Sequence, residues 1–144
     1  MLKEELVGTW RLVSLVTQRS DGSERNGMGS NPCGQIMYDA LGNFSAHLMR
    51  GKPIPFASDD MGSGTLEEIR AAFLGYVAYW GRYEVDEEQL LVRHFPEGSL
   101  FPNWLGQTQT RFVELSGPRL ILSTPPIVFA GHENRNIITW ERAI

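Results

Sequence analysis

The sequence predicts a mainly β chain, with about eight consecutive antiparallel strands forming a closed barrel or a sandwich and one short α-helix near residues 65–77. Three observations point there. Segments rich in β-branched and aromatic residues recur between turns built from 15 Gly and 8 Pro, at roughly the 8–12-residue spacing of antiparallel strands. One stretch alone opens with a helix cap and continues at helical spacing. Strand-like and helix-like segments do not alternate as a parallel α/β sheet requires.

The elements follow in order. Residues 9–18, rich in β-branched and apolar side chains, read as the first strand, and Ser20-Asp21-Gly22-Ser23 is turn chemistry. Gln35-Ile36-Met37-Tyr38-Asp39 and Phe44-Ser45-Ala46-His47-Leu48-Met49 are joined by the hairpin-sized Ala40-Leu41-Gly42-Asn43. No period fits residues 51–64, a loop suited to act as a flap. Thr65 and Glu68 form a capping box, and Leu66, Ile69, Phe73 and Val77 fall on one helical face, with Gly75 or Gly81 as the stop. Arg82 to Asp86 and Leu90 to Phe95 read as a hairpin, followed by a long polar connection from Pro96 to Gly106. Residues 107–115 and 119–124 flank the turn Ser116-Gly117-Pro118, and residues 136–142 close the chain.

Length and charge bound the function. The 144 residues, 42% of them hydrophobic, suit one domain over 1–144 with one core. Thirteen Lys and Arg against 17 Asp and Glu leave a net charge of −4, which excludes the basic footprint of a nucleic-acid binder. A lone Cys33 allows neither an internal disulfide nor a cysteine zinc site. Without a leader-like apolar run at the N-terminus or a membrane-length span, the expectation is a soluble, cytoplasmic protein with no membrane partner.

Longer runs carry a family likeness. Gly8-Thr9-Trp10 resembles the opening of the lipocalin and fatty-acid-binding-protein group, in which the Trp packs across the closed barrel end against a late Arg; Arg142 holds that position here. Residues 35–39, 45–50 and 67–73, Pro102-Asn103-Trp104-Leu105-Gly106, Leu122-Ser123-Thr124-Pro125-Pro126 and Thr139-Trp140-Glu141-Arg142 resemble the lipocalin-like domain family. The resemblance implies an eight-stranded lipocalin-like barrel with a helix plugging or flanking one end. It implies no single activity. Unlike secreted lipocalins, the chain is expected to carry neither a signal peptide nor disulfides.

A barrel of eight strands has room for its own side chains or one small ligand. Six residues are candidate ligand contacts. His47 and His94 lie mid-strand, where an inward imidazole would bind a carbonyl or carboxylate or move a proton, while an outward one would be only surface. Tyr79 and Tyr83, with Tyr38, combine an apolar ring and a polar tip. Trp104 sits in a connection that could fold over a barrel mouth. Arg111, if inward, needs a partner, with Glu97, Glu114 or a ligand carboxylate as options. The three histidines lack zinc-site spacing, so neither metal nor cofactor is expected. The expected partner is a small apolar or aromatic molecule; a homo-oligomer stays open. The alternative is an isomerase- or cyclase-type enzyme acting on a hydrophobic molecule inside the barrel.

Overall fold

The computed structural model describes residues 1–143. In chain order its elements are α1 (Leu2–Leu6), β1 (Gly8–Arg19), β2 (Glu24–Asn26), β3 (Cys33–Tyr38), β4 (Asn43–Met49), α2 (Leu66–Leu74), β5 (Tyr76–Asp86) and β6 (Leu91–Ser99). A single 3-10 turn (Pro102–Trp104) then precedes β7 (Gln109–Ser116), β8 (Arg119–Ser123), β9 (Ile127–Phe129) and β10 (His132–Arg142). Every strand pairing is antiparallel. The order β1-β3-β4-β5-β6-β7-β8-β10 returns to β1, so eight strands close into a barrel. The short β2 and β9 lie outside this ring, paired to the far half of β1 and the start of β10.

Alternation decides what faces the interior. Ile36 and Tyr38 of β3, Phe44, Ala46 and Leu48 of β4, and Tyr79 and Tyr83 of β5 are buried. So are Val92 and His94 of β6, Arg111 and Val113 of β7, Leu120 and Leu122 of β8, and Ile138 and Trp140 of β10. On β1 the inward phase changes part-way. Leu12 pairs with Trp140 but Ser14 with Thr139, so Val13 is an extra residue, 42% exposed. This bulge moves the buried set from Trp10 to Leu15.

One barrel end is sealed by α1. Leu6 and Trp10 are fully buried, and the Trp10 indole donates to the Leu6 carbonyl at 2.9 Å. The Arg142 guanidinium lies 4.1 Å from the Trp10 ring centre and donates to the carbonyls of Val7, at 3.0 Å, and Glu5. The expected tryptophan–arginine lock is therefore present. Gly8 has φ +138°, and a Cβ there would meet the Arg142 guanidinium at 2.7 Å, so only glycine fits. Glu87, in the β5–β6 turn, accepts from the α1 amides of Leu2 at 2.9 Å and Lys3 at 3.1 Å.

Local readings need three corrections. The helix ends at Leu74, not Val77: Gly75 stops it and Tyr76 begins β5 at once, so Val77 belongs to a strand. The capping box forms, with the Thr65 amide donating to Glu68 at 2.8 Å and the Glu68 amide to Thr65 Oγ1 at 3.1 Å. Residues 96–99 are not a loop but continue β6. A bulge between Trp80 and Gly81 lets the strand pass Pro96, which has no amide hydrogen to give. Finally α1, β2 and β9 go beyond the expected elements, being too short to show a period.

Replacing Arg142 with Ala removes two charge-assisted hydrogen bonds and the stacking on Trp10. The expected loss is about 1.5–3 kcal/mol of unfolding free energy. Urea denaturation should show the lower midpoint with an unchanged m-value.

Candidate functional site

The closed sheet encloses a cavity of about 190 Å³. That exceeds the roughly 150 Å³ of an apolar cavity that admits benzene. Its walls are mainly apolar, including Ile36, Ala46, Leu48, Leu122 and Ile138. Leu74 from the end of α2, Met28, and Ile127 and Phe129 of β9 frame the side away from α1.

Four of the six expected residues meet here. Tyr79, His94, Trp104 and Arg111 all line the cavity. His94 is fully buried, and both ring nitrogens are engaged: Nε2 lies 2.6 Å from the Tyr38 hydroxyl and Nδ1 2.9 Å from the Tyr79 hydroxyl. Phe44 stacks on the imidazole, with ring centres 4.2 Å apart and planes 13° apart. The Trp104 ring meets Tyr79 edge-on at 5.1 Å. Register explains the grouping, because Tyr38 pairs with Phe44, Ala46 with Tyr79, and Gln109 and Val92 bring β7 beside β6 at the level of His94 and Arg111.

The charge state of the cluster follows from burial. Loss of solvent, reinforced by the positive Arg111, holds the His94 imidazole well below the ordinary value of 6.5. Burial also raises the Tyr38 and Tyr79 phenols above 10.0, with Arg111 opposing the rise in both. At neutral pH the imidazole is therefore neutral and both phenols keep their protons. A neutral imidazole has one donor and one acceptor nitrogen. Tyr38, 2% exposed and outside the cavity lining, has no hydrogen-bond partner but His94 among the described residues. Its proton must therefore go to Nε2. The proton on Nδ1 is then donated to the Tyr79 oxygen, which leaves the Tyr79 hydroxyl hydrogen free at the cavity wall.

Arg111 is 7% exposed and donates to the Thr110 carbonyl at 2.9 Å. Neither acid named as its partner reaches it. Glu97 and Glu114 are exposed on the outer faces of β6 and β7. Among the described residues, no carboxylate lies within 4.0 Å of Arg111; the side-chain ion pair is Arg93–Asp86. No group of three or more metal-binding side chains occurs among the described residues.

The chain matches the family model of the lipocalin-like domain over residues 7–143. It belongs to the lipocalin-like domain family. It also resembles the 4'-hydroxy-3'-methoxypropiophenone carrier protein of Aspergillus oryzae (strain ATCC 42149 / RIB 40), with 38% identity over 105 residues, 68% of this chain and 95% of that protein. No solved structure matches it.

Two expected contacts stand apart from the lipocalin-like cavity. His47 is on the outer face of β4, because Phe44, Ala46 and Leu48 take the inner one; its Nδ1 lies 3.1 Å from the Tyr76 hydroxyl in a shallow groove beside Cys33. Tyr83 points inward but lies behind Tyr38, edge-on at 4.8 Å, and donates to the Asp39 carbonyl at 2.6 Å. Two participants were not singled out as contacts from sequence. Phe44 shares the alternating apolar face of β4, and Trp140 lines the cavity with its indole nitrogen buried and unpartnered. No helix among the described residues is long and apolar enough to cross a membrane.

His94 should leave a signature in stability. Below pH 6.5 an unfolded chain takes up a proton here that the folded one refuses, so stability falls as pH drops. The slope approaches about 1.4 kcal/mol per pH unit from this group alone. Comparing urea midpoints of the native protein and His94→Gln between pH 5 and 7 (roughly the histidine range) should show the variant lacking one proton's worth of slope.

Proposed function

We propose that this lipocalin-like protein is a carrier that holds a one-ring aromatic molecule inside its barrel, with an oxygen of that molecule directed at Tyr79 and Arg111. The observation that carries the reading is the cavity itself, about 190 Å³ and mainly apolar, with two hydrogen-bond donors at one side. Its size suits a single substituted ring and not a long lipid. The likeness to a carrier protein named for a substituted propiophenone supports the same class of cargo. Exposed, unpaired Cys33 fits a reducing compartment, and we place the protein in the cytoplasm.

Acid–base turnover by the imidazole is the less supported reading. Both nitrogens of His94 are held by tyrosines, so a bound molecule has no free nitrogen to meet. The group that faces the cargo is the Tyr79 hydroxyl, whose raised pKa favours donating a hydrogen bond over giving up a proton.

Calorimetry with acetophenone as probe tests the carrier reading. Ala46 is 1% exposed and lines the wall, so Ala46→Leu fills part of the hollow and should abolish binding while the protein stays folded. Trp104→Ala should weaken binding about 2- to 10-fold through loss of one aromatic contact. Unchanged affinity in Ala46→Leu would move the ligand out of the barrel and end the proposal.

A further inference from the structure

The charge inventory of the cavity is one-sided. Among the residues that line it, Arg111 is the one cationic side chain, and no Asp, Glu or Lys is present. The titratable groups that feel the Arg111 charge are Tyr38 from β3, Tyr79 from β5 and His94 from β6. All are neutral there. A guanidinium that is 7% exposed, with the Thr110 carbonyl and the Tyr79 hydroxyl beside it and no carboxylate within 4.0 Å among the described residues, is a buried charge without a counter-charge. Such a group is costly to a protein unless something neutralises it. Beside it, the Tyr38–His94–Tyr79 chain directs a second donor at the cavity. This wall therefore offers donors and positive charge, and no carboxylate.

Resting on the carrier reading, we propose that this end of the cavity is an oxyanion site: Arg111 and Tyr79 together bind an anionic oxygen carried on an aromatic ring, a phenolate or a carboxylate. A neutral phenol entering the site loses its proton to solvent as the O–H bond breaks, and the resulting phenolate accepts from both residues. The apolar walls take the ring. Neutral acceptors such as ketones fit the same space but leave the Arg111 charge unmatched. The site thus selects by ionisation as well as by shape.

The test uses three probes of nearly equal size with the full-length protein: 4-hydroxyacetophenone, benzoate and acetophenone. Absorbance follows ionisation of the bound phenol, and calorimetry gives affinities. The expected result is that bound 4-hydroxyacetophenone ionises at least about one pH unit below the free molecule, equivalent to a tenfold preference for the phenolate. Tighter binding of benzoate than of acetophenone would extend the site to carboxylates, and benzoate no tighter than acetophenone would restrict it to phenolates. In Arg111→Met the phenol's downward shift should disappear, while the unliganded variant unfolds at the same or a higher temperature, because an unmatched charge has been replaced by an apolar chain of similar reach. Tyr79→Phe should weaken phenolate binding about tenfold and leave acetophenone less affected. A bound phenol that ionises at or above its free value, or a shift that persists in Arg111→Met, overturns the oxyanion site even if all three probes bind. Failure of all three to bind overturns the carrier reading with it.

Discussion

The pairing of β1 with β10 is the constraint on which the rest depends. It joins residues 10–19 to residues 134–142 and turns an open sheet with two free edges into a wall without them. Bringing the two ends of the chain together carries a loop-closure cost that grows only slowly with length. The ladder is anchored at both ends. At the sealed end Arg142 spans Trp10 and the carbonyls of α1; at the other, Thr17 Oγ1 donates to Asn136 Oδ1 at 2.8 Å. Beyond the ring the same two strands continue as a ribbon that carries β2 and β9, so one pairing both encloses the cavity and places part of its rim.

Inside that wall, the polar residues around His94 are arranged so that each neutral group satisfies another. His94 engages two tyrosines and an aromatic face, and Tyr83 spends its proton on the Asp39 carbonyl. In a low-dielectric interior such a network holds side chains in fixed orientations, because breaking any one link leaves a buried group without a partner. His94 thus serves as a spacer: Tyr38 sets its tautomer, and its Nδ1 proton in turn sets the direction of the Tyr79 proton. Arg111 is the exception. Its charge has no counterpart among the described residues, and the contrast between a satisfied neutral network and an unsatisfied cation on neighbouring strands gives the cavity its polarity.

Much of this was legible in the residues. The alternation of residues 35–39 and 44–49, the Thr65–Glu68 cap and the Gly8-Thr9-Trp10 opening each found their counterpart, down to the Arg142 partner. The face of β4, left open by the sequence reading of His47, is also legible: Phe44, Ala46 and Leu48 are uniformly apolar, whereas Ser45, His47 and Met49 are mixed. The chemistry of His47 carries no information on direction, for which the apolar phase is the guide. Other features were hidden for local reasons. Helix α1 is too short to display a 3.6-residue period, and its formation relies on Glu87, more than 80 residues away. The β1 bulge at Val13 shifts the inward phase in a run where every residue suits a strand. Pro96 reads as a strand end, yet the bulge opposite it at Gly81 removes the need for its missing amide; a Cβ on Gly81 would come within 2.1 Å of the Phe95 carbonyl oxygen.

The two parts of the cavity act on a bound molecule in different ways. Apolar walls reward any ring of suitable size, roughly in proportion to the area it buries, about 25 cal/mol per Å². They discriminate weakly between rings that differ in a polar substituent. The donors at Tyr79 and Arg111 work in the opposite sense. A molecule that fills the hollow but has no oxygen at that position strips water from both groups and returns nothing, at about 1–3 kcal/mol for each donor left unpaired and more for a charged one. Since 1.4 kcal/mol is a tenfold change in affinity, two such donors outweigh a few methylene groups of extra contact. The ring therefore determines whether a molecule can enter, and the wall between β5 and β7 determines which of the entering molecules stays.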